Sequence, residues 1–156
     1  MVQKLILTFC LVAFGCTPAP STPVVSSADA KLDSAIQEAR DTLEVFIQRI
    51  GTPHPDRTFV AVKVRFFPPD GPPQDIWVDE VTHEDGSFSG SFGDDIPSLK
   101  LSMGERITVN QEDIVDWMMV EDGKLVGGYT IRLAYQRMSP EEKERFLEAA
   151  NYSIED

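Results

Sequence analysis

The amino-acid sequence predicts an α+β fold: a bent antiparallel sheet of about five or six strands, with one long N-terminal helix packed on it and a short C-terminal helix. Apolar residues recur at spacings of three and four between residues 29 and 50, as in an amphipathic helix. After residue 58 the period changes to two, and turn residues separate the alternating segments. The pattern therefore places a helix first and a sheet after it.

The N-terminal residues 1–16, MVQKLILTFCLVAFGC, predict export. Lys4 precedes an apolar run that ends at Phe14, which is typical of a signal peptide. The run is shorter than the roughly 20 residues that cross a bilayer. The ending AFGC resembles a bacterial lipobox, whose cysteine becomes lipid-modified after cleavage. An ordinary signal peptidase would cut at the same bond, so acylation of Cys16 and simple cleavage before it both stay open.

These features predict three parts of the chain: a signal peptide at residues 1–15, a lipidated Cys16 with a Pro/Ser-rich tether over 16–28, and a single α+β domain over 29–156. The membrane is a predicted partner, which the chain would contact through the lipid on Cys16. Thr17 follows the cysteine in place of the aspartate associated with inner-membrane retention. We therefore expect an exported envelope protein, on the outer membrane facing the periplasm where a cell has two membranes.

The predicted helix runs from Asp29 to Ile50, where Gly51 and Pro53 end it. Its stripe of Leu32, Ile36, Ala39, Leu43, Phe46, Ile47 and Ile50 is expected to pack on the sheet. In the first strand, the side chains Val60, Val62, Val64 and Phe66 share one face.

The remaining strands are predicted from alternating segments and turns. A strand from Asp75 to His83 turns at Asp85-Gly86 into a second one over 87–92, which is a hairpin pattern. The short segment ERITV follows Gly104. The segments IVDWMMV and LVGGYTIRLAY then predict another hairpin, with Gly127-Gly128 as a bulge or bend inside a strand. Ser139, Pro140 and Glu142 predict the start of the C-terminal helix through a capping box.

Charge and cysteine content exclude several classes of function. The formal net charge is −12, so the chain repels nucleic acid phosphates, and we expect no nucleic acid partner. Both cysteines, Cys10 and Cys16, lie in the leader, which leaves the domain without a disulfide or a thiolate site. Glu80 and His83 have metal-ligand spacing for a helix, but in a strand they point to opposite faces. We predict no metal, no cofactor and no catalytic residue.

The order of several short motifs resembles the bacterial family called domain of unknown function 2314. The resemblance covers about Lys31 to Tyr135, and its longest part is the block IVDWMMVEDGKLVGGYTIR from Ile114 to Arg132. The earlier motifs are Ala39-Arg40, VKVRF, Ile76-Trp77-Val78, Asp85-Gly86 with Phe88 and Gly90, Leu99-Lys100-Leu101 and Gly104-Glu105. The family often carries a glutamate–histidine pair just before this tryptophan, where the chain has Gln74 and Asp75. The resemblance implies a fold and a bacterial source, and no established activity.

The candidate binding surface consists of the aromatic and charged residues Trp77, Asp116, Trp117, Tyr129 and Arg132. Trp77 falls on the strand face opposite Ile76 and Val78. Alternatively, Trp117 fills the core, and Asp116 bonds to nearby backbone or pairs with Arg132. We expect a non-enzymatic, envelope-tethered lipoprotein that binds a protein or an envelope component. The alternative is a small hydrolase or small-molecule-binding enzyme that uses an accessible Asp116 as its acid or base.

Overall fold

A computed structural model describes residues 27–155, with side chains from Ala30 onward. The predicted signal peptide, Cys16 and residues 17–26 of the tether lie outside the described residues. Among the described residues, two α-helices precede the sheet, α1 (Ser27–Asp41) and α2 (Leu43–Ile50), and two follow it, α3 (Tyr129–Arg137) and α4 (Pro140–Ala150). Within residues 27–155, no helix has both the length and the apolar character needed to cross a membrane.

The part of the chain that the structure describes contains a sheet of six antiparallel strands in the order β4-β3-β2-β1-β5-β6, which confirms the predicted α+β class. The strands are β1 (Arg57–Phe66), β2 (Gln74–Glu84), β3 (Ser87–Ser91), β4 (Arg106–Val109), β5 (Ile114–Glu121) and β6 (Lys124–Gly127). The register between β2 and β3 shifts between Asp79 and Thr82, which marks a β-bulge that bends β2. Glu80, inside that shift, has a left-handed φ of 53°.

The two faces of the sheet are covered differently. On the first face, Val62 and Trp117 pack with Phe46 of α2 and Ala39 of α1 in the main core. On the second face, Ala61 and Met118 form a smaller cluster that Trp77 partly covers. The prediction that Trp77 lies opposite Ile76 and Val78 is therefore confirmed, because those two residues belong to the main core.

The long helix expected over residues 29–50 is wrong in one respect: it consists of α1 and α2, interrupted at Thr42. The indole Nε1 of Trp117 donates to the carbonyl of Ala39 at 3.0 Å and to Thr42 Oγ1 at 3.1 Å. A side chain inserted beside a helix carbonyl is a recognised cause of a helix break. The apolar spacing continues through the break, so the sequence pattern does not reveal it.

The predicted strand after Gly127-Gly128 is also wrong, because residues 129–137 form α3. Gly127 and Gly128 have φ angles of +71° and +66°, and the chain leaves the sheet there. The capping box at Ser139 is confirmed: its hydroxyl accepts from the Glu142 amide, and the Glu142 carboxylate accepts from the Ser139 amide. The tail after α4 returns to the sheet, where Ser153 bonds with Gly123 and Leu125.

Candidate functional site

Asp116 caps the N-terminus of α3 from within the sheet. Its carboxylate is fully buried, with no exposed area. Oδ1 accepts from the amides of Trp117 at 2.8 Å and Tyr129 at 3.1 Å. Oδ2 accepts from the amide of Thr130 at 2.8 Å and from its hydroxyl at 2.6 Å. Because Gly128 has no side chain with which to cap this helix, Asp116 satisfies the first amides in its place.

The environment of Asp116 combines opposing effects on its protonation. Burial raises the pKa of Asp116, while hydrogen bonds from Thr130 and Trp117 and the charge of Lys63 offset part of that rise. Lys63 Nζ donates to Thr130 Oγ1 at 2.8 Å and lies 4.8 Å from the centre of the Trp77 ring. Burial lowers the pKa of Lys63, and the charges of Asp116 and Asp75 counteract this. A polar chain therefore connects Asp116 with Trp77 through Thr130 and Lys63.

Trp117 belongs to the core. Its side chain is 2% exposed and stacks on Phe46 with ring centres 5.0 Å apart. Tyr129 is partly buried and meets the same indole edge-on at 5.9 Å. The first-face placement of Trp117 thus supplies an aromatic contact between β5, α2 and α3 and leaves little indole surface for a partner.

Arg132 binds three backbone carbonyls instead of pairing with Asp116. Its guanidinium donates to Gly127 at 2.8 Å, to Leu125 at 2.7 Å and to Glu155 at 2.6 Å. The ion pair between Asp116 and Arg132, one of the sequence-based alternatives, is therefore not formed, whereas backbone bonding by Asp116 is. Arg132 joins α3 to the end of β6 and to the C-terminal tail.

The five candidate residues do not meet on one surface. Asp116 and Trp117 are buried, while Tyr129 and Arg132 line a polar cleft between α1 and α3. Trp77 lies elsewhere, on the second face of the sheet. We therefore restrict the candidate binding surface to the part of the molecule that contains Trp77.

Trp77 lines a largely apolar groove on the second face, of about 500 Å³. We call it the second-face groove. Its walls come from β1, β2, β5, α3 and the segment that follows α4, through the side chains Phe59, Trp77, Met118, Val120, Ile131 and Tyr152. The elements of the groove are distant in sequence, so only the strand alternation around Trp77 points to it in advance.

The second-face groove adjoins a second cavity, of about 570 Å³, where β1 and β2 separate. We call this the β1–β2 cleft. Thr58, Phe59 and Asp79 line both cavities. Pairing of β1 with β2 ends at Ala61 and Asp79, so among the described strands Arg57, Phe59 and Val60 pair with β5 alone, and Thr58 lies in a register shift. The bulge in β2 therefore opens the sheet at this position.

Asp79 is a partly buried carboxylate without a hydrogen-bond or ion-pair partner in the part of the chain that the structure describes. Burial raises the pKa of Asp79, and the negative charges of Glu80 and Asp94 raise it further. One carboxylate oxygen lies close to Gly93, where an added Cβ would be 2.5 Å from it. Sequence reasoning missed Asp79, although its position two residues after Trp77 places both on one strand face.

Other sequence-based candidates have contacts of their own. Glu80 accepts from the Ser91 hydroxyl at 3.1 Å, whereas the His83 ring packs on Phe88 at 4.6 Å. Among residues 27–155, no group of three or more His, Cys, Asp or Glu side chains is arranged to hold a metal ion. Asp75, at one position of the family's glutamate–histidine pair, forms a two-bond ion pair with Arg65.

The bent sheet and its helices define an α+β domain, and the chain belongs to the bacterial family described as "Uncharacterized protein conserved in bacteria (DUF2314)". The match covers residues 29–153 and confirms the resemblance found in the sequence. One relative, "Uncharacterized protein YegJ" of Escherichia coli (strain K12), is 28% identical over 136 residues, which cover 83% of this chain and 86% of that protein.

A second relative is the "Putative ankyrin repeat protein NMB1133/NMB1171" of Neisseria meningitidis serogroup B. It is 30% identical over 128 residues, which cover 76% of this chain. The match spans only 50% of the length of that protein. No solved structure gives a significant match to this chain.

Proposed function

We propose that this protein is a non-enzymatic, envelope-tethered lipoprotein that binds a partner protein in the second-face groove. The observation that carries the proposal is the position of Trp77, whose ring lines a groove of about 500 Å³ on the sheet face opposite α1 and α2. Tryptophan and tyrosine are the residues that most often anchor protein interfaces, and Tyr152 lines the same groove.

The chemistry of the groove supports binding over catalysis. Its walls are mainly apolar, and Asp79 is its single carboxylate among the lining residues. Hydrolysis by carboxylates would require an accessible acid or base within reach of a substrate. Asp116, the residue proposed for that role, is fully buried and accepts four hydrogen bonds from protein groups. This arrangement favours a structural role for Asp116 and does not favour the hydrolase alternative, which needs an accessible carboxylate.

The proposed location follows from the N-terminal sequence. In this proposal, residues 1–15 direct export, Cys16 carries the lipid anchor, and the Pro/Ser-rich tether holds the domain away from the membrane surface. Because α1 begins at Ser27, ten tether residues, 17–26, precede it, and an extended polyproline geometry would give them a reach of about 30 Å. A partner in the periplasm or in the envelope would then be within reach of the groove.

Site-specific photocrosslinking tests the proposal. A photoreactive phenylalanine analogue is placed at Phe59, which lines the second-face groove, so that Trp77 is retained. The full-length chain is expressed in the bacterium from which it comes, and a matched chain carries the analogue at Phe67. Phe67 is 71% exposed and lies outside the groove, so it controls for nonspecific contact. We expect a discrete protein adduct from position 59 only, which is lost in the groove variant Ile131→Asp. Equal adducts from both positions, or none from position 59, would contradict the proposal.

A further inference from the structure

We propose that the occupant of the groove is an extended, basic segment of the partner polypeptide, which continues from the second-face groove into the β1–β2 cleft. This inference rests on the proposed function and specifies its ligand. Three features of the described residues support it: the interrupted pairing of β1, the unpaired carboxylate of Asp79, and the exposed apolar side chains beside the cleft.

The interrupted pairing favours a polypeptide in extended conformation. Arg57, Phe59 and Val60 of β1 pair with β5 on one side, and Thr58 lies in a register shift. Within the described part of the chain, none of residues 57–60 has a strand partner on the side of β2. Unpaired strand edges are templates for an added strand, which gains affinity from main-chain hydrogen bonds. The cleft of about 570 Å³ lies along this edge, between Thr58 and the bulge at Glu80.

The carboxylates favour a basic side chain in that segment. Asp79 lines both cavities, and within residues 27–155 no cationic side chain forms an ion pair with it, while Glu80 and Asp94 add negative charge around it. Arg57 also lines the cleft, but its guanidinium is committed to Glu121 at 2.8 Å and to the carbonyls of Arg49 and Thr52. A lysine or arginine from a partner would supply the missing counter-charge in a partly desolvated position.

Exposed apolar side chains border the same region. Phe59 is 38% exposed and lines both cavities, and Met103 is 68% exposed at the edge of the cleft. Side chains alternate along an extended segment, so a strand in the cleft would direct every second residue toward these surfaces. The occupant therefore combines apolar residues, facing Trp77 and Phe59, with a basic residue facing Asp79.

Selection from a displayed library of random linear peptides tests the inference. The library is panned on the purified full-length chain and, in parallel, on the Asp79→Asn, Trp77→Ala and Asp70→Asn variants. Asp70 lies in an exposed loop outside both cavities and is the matched control. We expect peptides enriched in lysine or arginine, whose Kd rises about tenfold for Asp79→Asn and is unchanged for Asp70→Asn. Added salt should weaken binding by the wild-type chain.

The possible outcomes separate this inference from the proposed function. Selected peptides could depend on Trp77 but contain no basic residue and bind Asp79→Asn as well as the wild type. That result would overturn the inference of a basic segment and leave the groove as a binding site. Lysine methylamide is a small amine without an extended backbone. If it bound as tightly as the selected peptides, the inference of an extended polypeptide ligand would be overturned. A library that yields no binder to the wild-type chain would overturn the inference, while crosslinking from position 59 would decide the proposed function independently.

Discussion

At the scale of single residues, Asp116 and Asp79 are two carboxylates in opposite situations. Asp116 is fully buried, and all its hydrogen bonds join β5 to the start of α3 or to its own strand. Asp79 is partly buried at the edge of an open cleft and has no partner within residues 27–155. The first residue therefore stabilises the fold, and the second is available to a ligand.

Replacing Asp116 with Asn tests its structural role. The amide nitrogen cannot accept the hydrogen bonds that one carboxylate oxygen accepts, so buried donors at the start of α3 lose their acceptor. We expect the free energy of unfolding to fall by about 1–3 kcal/mol in chemical denaturation. The control Asp70→Asn, in an exposed loop, should stay within about 0.5 kcal/mol of the wild type. Unchanged stability of Asp116→Asn would contradict the capping role.

Replacing Asp79 with Asn should stabilise the free protein at pH 7. Because the folded-state pKa of Asp79 is raised, folding favours its protonated form, and ionisation costs stability as the pH rises through that pKa. A neutral amide removes the repulsion by Glu80 and Asp94. We expect a higher melting midpoint for Asp79→Asn at pH 7. This gain should shrink as the pH falls from the raised folded-state pKa toward about 4, and it should be absent at lower pH, where the carboxyl is protonated in both states. A lower midpoint at pH 7 would indicate a stabilising partner for Asp79.

At the scale of elements, the Gly127-Gly128 step determines where the sheet ends and α3 begins. An added Cβ at Gly127 would lie 2.5 Å from the Trp117 carbonyl oxygen and 2.5 Å from its ring. Gly128 then donates to the same carbonyl at 2.8 Å. The glycines therefore permit both a left-handed backbone and close approach of β6 to Trp117.

The substitution Gly127→Ala should lower stability through backbone strain and through a steric clash, and the control Gly123→Ala separates the two effects. Gly123 has a φ of +72°, similar to the +71° of Gly127, but an added Cβ there meets no atom within 4 Å. We expect Gly123→Ala to cost about 1–2 kcal/mol from backbone strain alone. Gly127→Ala should cost at least about 1 kcal/mol more, because its Cβ also clashes with Trp117. Equal costs in denaturant unfolding would exclude the close packing described here.

The errors of sequence reasoning at this scale have identifiable causes. The pattern around Gly127-Gly128 contains alternating apolar residues, which indicate a strand, but the two positive φ angles turn the chain out of the sheet. The helix break at Thr42 is due to the contact with Trp117, a residue 75 positions away, so the local sequence pattern could not predict it. The strands from β1 to β5 were predictable because alternation and turn residues are local signals.

At the scale of the whole molecule, the candidate site was only partly predictable. Trp77 was identified from its residue type and its strand face. Asp79, Tyr152 and the bend that opens the cleft depend on contacts between distant segments and on the bulge at Glu80. The residue types of Asp116 and Trp117 do not by themselves separate a surface role from a core role, because aromatic and acidic side chains serve both, and the burial of these two residues follows from the packing of α1 and α3.

The proposed anchor predicts a specific covalent state at the N-terminus. Intact-mass measurement on the full-length gene product should give a chain that begins at Cys16 with the added mass of its acyl groups. The variant Cys16→Ser should lack that mass and leave the membrane fraction. A mature wild-type chain that begins at Cys16 without lipid would support the ordinary signal peptidase instead, with an exported domain that has no anchor.

Binding by the second-face groove and maintenance of the fold by Asp116 are tested together by crosslinking from the analogue at Phe59, which lines the groove. The yield of crosslinked partner, per folded molecule, is compared for Trp77→Ala and Asp116→Asn in the same cells. We expect Trp77→Ala to lose most of the capture and Asp116→Asn to retain it at a lowered unfolding midpoint. Loss of capture by Asp116→Asn at an unchanged midpoint, with full capture by Trp77→Ala, would overturn both roles.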